Sequence, residues 1–257
     1  MEFFTVEIDQ KIATIKLNRP PANALARGVL DELSVVLDDL ESNGDVRVLL
    51  IRGEGRFFSA GADIKEFTEI QSDQGFTELA QRGQKLFDRI ESFPKPIIAV
   101  IHGAALGGGL ELAMSCHIRF ASETAKLGLP ELQLGIIPGF AGTQRLPRLV
   151  GAPKAAEMMF TSEPITGKEA ASLGLVNHAF SEEILFEEAY NLAKKIAAKG
   201  PIAINAVIEL LQYAKGSLHE QGVEKEASLF GKVFVSEDAK EGISAFLEKR
   251  TPEFKGK

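Results

Sequence analysis

Two uninterrupted apolar runs, Val48-Leu49-Leu50-Ile51 and Ile97-Ile98-Ala99-Val100-Ile101, each lead through a loop of small residues into a helical pattern. A strand without polar alternation cannot lie on a half-solvated sheet. It must be covered on both faces, which calls for a sheet wrapped by helices. The rest of the chain agrees. Phe4 to Ile8 and Ile12 to Leu17 alternate with period two around a polar turn and predict a hairpin. Val29, Leu33, Val36, Leu37 and Leu40 recur at helical spacing before the first apolar run. Phe76, Leu79, Leu86, Phe87 and Ile90 do so before the second. A short helix from about Gly109 to Cys116 and a strand from His117 to Ala121 follow. Strands and helices in this order define an α/β core.

From about Gly142 the pattern turns helical. Thr166-x-x-Glu169 is a capping box, Lys199-Gly200-Pro201 ends one helix and starts another, and Ser236 is a candidate N-cap. The expected division is a core over residues 1–195 and a helical region over residues 196–257. The latter serves as an oligomerisation or lid element, or is simply more core.

The 257 residues carry a formal net charge of −7 with Lys and Arg scattered singly, so no basic stripe is present to follow a nucleic-acid backbone. The longest apolar stretch, Ile97 to Ile101, is far too short for a membrane span. With one cysteine, Cys116, no internal disulfide can form, and the N-terminus lacks the basic, apolar character of a targeting segment. The expectation is a cytoplasmic enzyme. The four histidines, His102, His117, His178 and His219, are dispersed without ligand spacing, so no metal is expected. His102 reads as a loop-capping residue and Cys116 as an inert small hydrophobe.

Chemistry concentrates between residues 57 and 145. The loops Phe58-Ser59-Ala60-Gly61-Ala62-Asp63-Ile64 and His102-Gly103-Ala104-Ala105-Leu106-Gly107-Gly108-Gly109 each follow a strand and open a helix. Small residues let backbone approach a ligand, and helix N-termini present unpaired N–H groups. Two such groups converging on one point make an oxyanion hole. Taken singly, these glycines equally permit tight turns between packed elements. After Gly107 and Gly109 a dinucleotide fingerprint would place glycine where Leu112 stands, and no Gly-Lys-Ser/Thr follows, so neither nucleotide motif fits. Glu111 and Glu131, twenty residues apart, both sit among apolar neighbours. A lone glutamate is ordinarily a solvated surface residue. Two in one apolar site cannot both ionise easily and can divide acid and base roles near neutral pH.

The assembly Gly-Ala-Asp-Ile, His-Gly-Ala-Ala-Leu-Gly-Gly-Gly-Leu-Glu-Leu-Ala and Pro-Glu-x-x-Leu-Gly-x-x-Pro-Gly-x-x-Gly-Thr-Gln-Arg-Leu closely resembles the crotonase (enoyl-CoA hydratase/isomerase) family, and bacterial enoyl-CoA hydratases in particular. The likeness spans nearly the whole chain, through Lys-Glu-Gly-Ile-Ser-Ala-Phe-Leu-Glu-Lys-Arg. It implies an α/β spiral of ββα units with a C-terminal helical region that trimerises, the trimers commonly pairing into hexamers. It further implies hydration of a 2-enoyl-CoA thioester, with a role in fatty-acid β-oxidation. Ala62 and Gly108 would supply the oxyanion-hole N–H groups, Glu111 would activate water and Glu131 would protonate the α-carbon. Coenzyme A would be the substrate carrier, with no further cofactor, held near Ala60, Ala62, Asp63, Ile64 and Lys65. Lys249 would approach its phosphates from a neighbouring subunit, Gly139 would approach the site, and Phe230 and Phe246 would flank the adenine and acyl pocket. In Gly139-Phe140-Ala141-Gly142, many relatives carry smaller residues at the second and third positions, so Phe140 either narrows the acyl pocket or packs away from it.

Relatives with other chemistry, a Δ3,Δ2-enoyl-CoA isomerase or a hydroxymethylglutaryl-type lyase, commonly keep only one of the two glutamates. The pair here favours hydratase chemistry. The intact pair and the acidic charge also speak against a non-catalytic acyl-CoA or RNA-binding module.

Overall fold

The computed structural model describes residues 1–67, 72–214, 230 and 236–257. β1 (Phe4–Asp9) and β2 (Ile12–Leu17) form the predicted hairpin, in antiparallel register from Phe4 opposite Leu17 to Asp9 opposite Ile12. Every later partner in this sheet is parallel. β3 (Val48–Gly53) pairs with β2, β4 (Ile97–Ile101) with β3, β6 (Ile118–Ser122) with β4, and β9 (His178–Phe180) with β6. Helical crossovers supply the returns that parallel pairing requires, α1 (Arg27–Ser42) before β3 and α3 (Asp73–Glu91) before β4.

The two apolar runs are uninterrupted because each strand feeds two cores. Leu49, Ile51, Ile97, Ala99 and Ile101 pack with Leu33, Leu37, Phe87 and Ile90 of α1 and α3. Their alternates Val48, Leu50, Ile98 and Val100 pack on the opposite face with Leu185, Ala189 and Ala193 of α8 (Glu182–Ala197). Period-two side-chain alternation thus becomes continuous hydrophobicity once both faces are covered.

A second, small sheet was not legible in the sequence. β5 (Ala104–Leu106), β7 (Lys126–Gly128) and β8 (Ile165–Thr166) pair in that order. Parallel bridges Leu25 to Ala62 and Ser59 to Ala105 extend the stack backwards along the chain. Successive turns therefore place one segment in the large sheet and the next in the small stack, a spiral. β5 lies inside what the sequence reads as a glycine-rich turn. β8 and β9 interrupt a stretch it reads as helical.

The predicted helix signals hold. Thr166 and Glu169 form the capping box that opens α7 (Gly167–Ser172). Pro201 starts α9 (Pro201–Tyr213), and Ser236 Oγ accepts from Ala239 N at 3.1 Å at the start of α10 (Glu237–Glu248). The division expected after residue 195 falls in the last turn of α8, a helix that packs on the sheet. α9 and α10 leave Val207, Leu211, Ile243 and Leu247 exposed.

Candidate active site

Three consecutive turns of the spiral end side by side, and their ends make the site. In the first, Leu25 bonds on both sides of Ala62: its N–H donates to Gly61 O at 2.8 Å and its carbonyl accepts from Asp63 N at 3.3 Å. In a parallel bridge this turns the Ala62 N–H away from Leu25. In the second, β5 ends at Gly107, whose φ of +49° is open to glycine and strained for other residues. That bend starts α4 (Gly108–Ser115) with the Gly108 N–H at its free N-terminus. A Cβ placed on Gly108 would lie 3.4 Å from Ala62 N, and one on Gly61 would lie 3.7 Å from Gly108 N. The two amides are neighbours. Among the described residues neither donates a hydrogen bond.

Glu111 stands on the first turn of α4 and is 1% exposed. Its Oε1 accepts from Phe140 N at 2.8 Å and from Gly142 N at 2.7 Å. Between those donors Ala141 holds φ +70°, a left-handed conformation that costs roughly 1–2 kcal/mol in a residue with a Cβ. Arg145, 2% exposed, fixes this turn: it donates to Phe140 O at 2.8 Å and pairs with Asp88 at 2.5 Å and Glu91 at 3.2 Å. Burial pushes the Glu111 carboxyl up to about 7. The Glu131 charge adds to that rise, while the Gly142 and Phe140 amides and Arg145 oppose it.

The third turn continues from β7 into a 3₁₀ segment, Glu131–Leu134, which begins with Glu131. A Cβ on Gly107 would come within 2.7 Å of Glu131 Oε1, so this carboxylate lies directly over the glycine turn. Its Oε2 is buried and accepts no hydrogen bond among the described residues. Burial raises this carboxyl too. An unbonded buried oxygen is unfavourable unless something arrives to bond it.

Both glutamates, Ala62 and Gly108 line one cavity of about 850 Å³, together with Ala60, Ile64 and Gly139. Phe76, Leu79 and Ala80 of α3 and the exposed Leu134, Ile136 and Ile137 give it apolar walls. Other expected site residues lie elsewhere. The Asp63 carboxylate does not line the cavity; it pairs with Arg19 at 2.5 Å and ties two loops together. Lys249, expected to reach a neighbouring subunit's site, sits exposed just beyond α10, and Phe230 is 68% exposed; neither lines this protomer's own cavity. The side chains of Lys65 and Phe246 are outside the described residues. His102 bonds Gly55 O at 2.9 Å, the loop-capping role expected of it. Cys116 is buried and its thiol pushed up to about 12 by that burial, as fits an inert hydrophobe. Arg145 was missed as a site residue. It lies within the Gly-Thr-Gln-Arg-Leu motif, but nothing in sequence separates a buried clamp from a surface arginine.

Residues 7–257 match the model of the enoyl-CoA hydratase/isomerase family. The chain belongs to this family, whose members share the crotonase fold. It is 58% identical over 257 residues, the full length of both chains, to a probable enoyl-CoA hydratase of Bacillus subtilis (strain 168). It is 41% identical over 258 residues, again covering 100% of each chain, to the 2,3-dehydroadipyl-CoA hydratase of Escherichia coli (strain K12). Among solved structures, an enoyl-CoA hydratase from Bacillus anthracis superposes with a TM-score of 0.93 at 38% identity, covering 99% of each chain.

Proposed function

We infer that this chain is an enoyl-CoA hydratase that adds water to a trans-2-enoyl-CoA to give the 3-hydroxyacyl-CoA. One observation carries the reading: two carboxyls with raised pKa share a cavity with two adjacent amides that have no partner among the described residues. A thioester oxygen seated between Ala62 N and Gly108 N would accept from both. Attack at the β-carbon drives negative charge onto that oxygen, where fixed donors stabilise the transition state more than the ground state. Two amides on Glu111 favour its ionised form and suit it to take the proton from water as the oxygen bonds to C3. Glu131, whose buried oxygen lacks a donor, suits the protonated role and delivers its proton to C2. The water proton held by Glu111 then returns the pair to its starting state, so H and OH are added in balance. Both carboxyls opening into one cavity fits syn addition.

Coenzyme A is the carrier in this scheme and no further cofactor takes part. Fatty-acid β-oxidation in the cytoplasm is the setting we infer. Assembly into trimers, or hexamers of paired trimers, is supported by the apolar side chains that α9 and α10 leave exposed.

The decisive assay follows loss of the conjugated absorbance of crotonyl-CoA and longer 2-enoyl thioesters. Turnover yielding the 3-hydroxyacyl product is expected. No hydration of any chain length, or isomerisation of 3-enoyl thioesters alone, overturns the reading.

A further inference from the structure

We propose that Phe140 sets the acyl-chain limit of this enzyme, its ring closing the cavity beside the reacting carbons so that short, unbranched chains are preferred. The proposal rests on the hydratase reading and adds the residue that selects among its substrates. Phe140 lines the cavity and is 5% exposed. One edge of its ring lies 3.3 Å from where a Cβ on Gly108 would stand, next to the amide pair. The opposite edge occupies the space of a missing side chain. A Cβ on Gly83, in the middle of α3, would lie 2.3 Å from Phe140 Cδ1 and 2.4 Å from Cε1.

Glycine inside a helix is unfavourable by roughly 0.5–1 kcal/mol relative to alanine, so helix stability gives no reason for it there. The niche it leaves for the ring does. Two further contacts keep the ring from swinging aside. Phe87 meets it edge-on with centroids 5.4 Å apart, and Gln84 Nε2 donates to Gly139 O at 2.9 Å, tying the turn to α3. With glycine niches on both sides, the ring is a fixed wall between α3 and α4. An acyl tail directed at it finds filled space, and even one unaccommodated methylene changes discrimination by about 10- to 200-fold.

Gly83 and Phe140 make the test two-sided. kcat/KM is measured for four-, eight- and twelve-carbon trans-2-enoyl-CoA with the parent enzyme, Phe140→Ala, Phe140→Leu and Gly83→Ala. Phe140→Ala should raise the twelve- to four-carbon ratio at least about 10-fold, and Phe140→Leu should raise it less. Gly83→Ala, which pushes the ring toward the cavity, should lower it. Dissociation constants of butanoyl-CoA and dodecanoyl-CoA, measured by calorimetry, should shift in the same directions without any turnover. If Phe140→Ala does not fold, Phe140→Leu decides. A ratio unchanged within about twofold in folded variants, or moving the same way for both positions, overturns the proposal. Absence of hydration in the parent enzyme defeats the hydratase reading alone, since the saturated ligands still report the wall.

Discussion

Glu111 is held at a balance point. Two amides stabilise its anion while enclosure in a wholly buried helix destabilises it, and the carboxyl titrates at about 7. In its proposed role as base it must be ionised, so kcat/KM should fall about tenfold per pH unit below an apparent pKa near 7, as a pH–rate profile would read. Glu111→Gln and Glu131→Gln should each lower kcat by at least about 100-fold with little change in KM, because in the proposed mechanism both groups act in the transition state. The same balance appears in stability. Folding raises the pKa of Glu111, so the fold favours its protonated form. The stability this contributes is fully present below about pH 4.5 and is lost as pH rises through 7. A neutral glutamine escapes the loss. The Tm of Glu111→Gln minus that of the parent should therefore grow between pH 5 and pH 8. A pH-independent difference would count against a carboxylate that ionises in a buried site.

At the scale of elements, the site depends on how closely α4 and the 140–142 turn are held. Arg145 bridges Phe140 O to Asp88 and Glu91 of α3, which makes it a positioning residue. Arg145→Met leaves Phe140 O unbonded and frees the turn. The expected cost is about 1–3 kcal/mol in thermal or denaturant unfolding, with kcat about tenfold lower. Since Arg145 lowers the Glu111 pKa, the acid limb should also move to higher pH, a shift that loss of packing alone would not give. The other contact is between α4 and the loop after β3. A Cβ on Gly109 would lie 2.3 Å from Ser59 O, so Gly109→Ala must drive the helix from the loop that carries Ala62. It should destabilise by about 1–3 kcal/mol and reduce kcat, as the two amides part.

Across the whole molecule, the spiral makes the site by stacking. Residues 60–62, 107–111 and 128–131 are distant in sequence, yet each follows a segment of the small stack formed through the Leu25–Ala62 and Ser59–Ala105 bridges and the β5–β7 pair. Parallel neighbours end on the same side, so loops from successive turns converge without any loop being long. The surface of α9 and α10 belongs to the same scale. Val207, Leu211, Ile243 and Leu247 are exposed, which an isolated chain would do better to cover. Light scattering should give a mass at least three times that of the 27.8 kDa protomer, and a monomer would remove the proposed trimer.

The sequence by itself determined what depends on near neighbours in the chain. Period-two and helical spacings place the hairpin, α1 and α3, and an unbroken apolar run places β4, because backbone preference and side-chain polarity act over a few residues; Ala62, Gly108, Glu111 and Glu131 are marked by motifs that resemble the family's. Only the tertiary structure decided the rest. The two-residue strand β8 and the three-residue β5 take their stability from partners far along the chain, so no local pattern announces them. Asp63 looks like any acidic loop residue until Arg19 is seen beside it, and Phe140 could narrow the acyl pocket or pack away from it until Gly83 shows which way its ring is held. Whether a carboxyl is a solvated charge or a buried group titrating near 7 is a property of what surrounds it in space, and spacing along the chain does not carry that information.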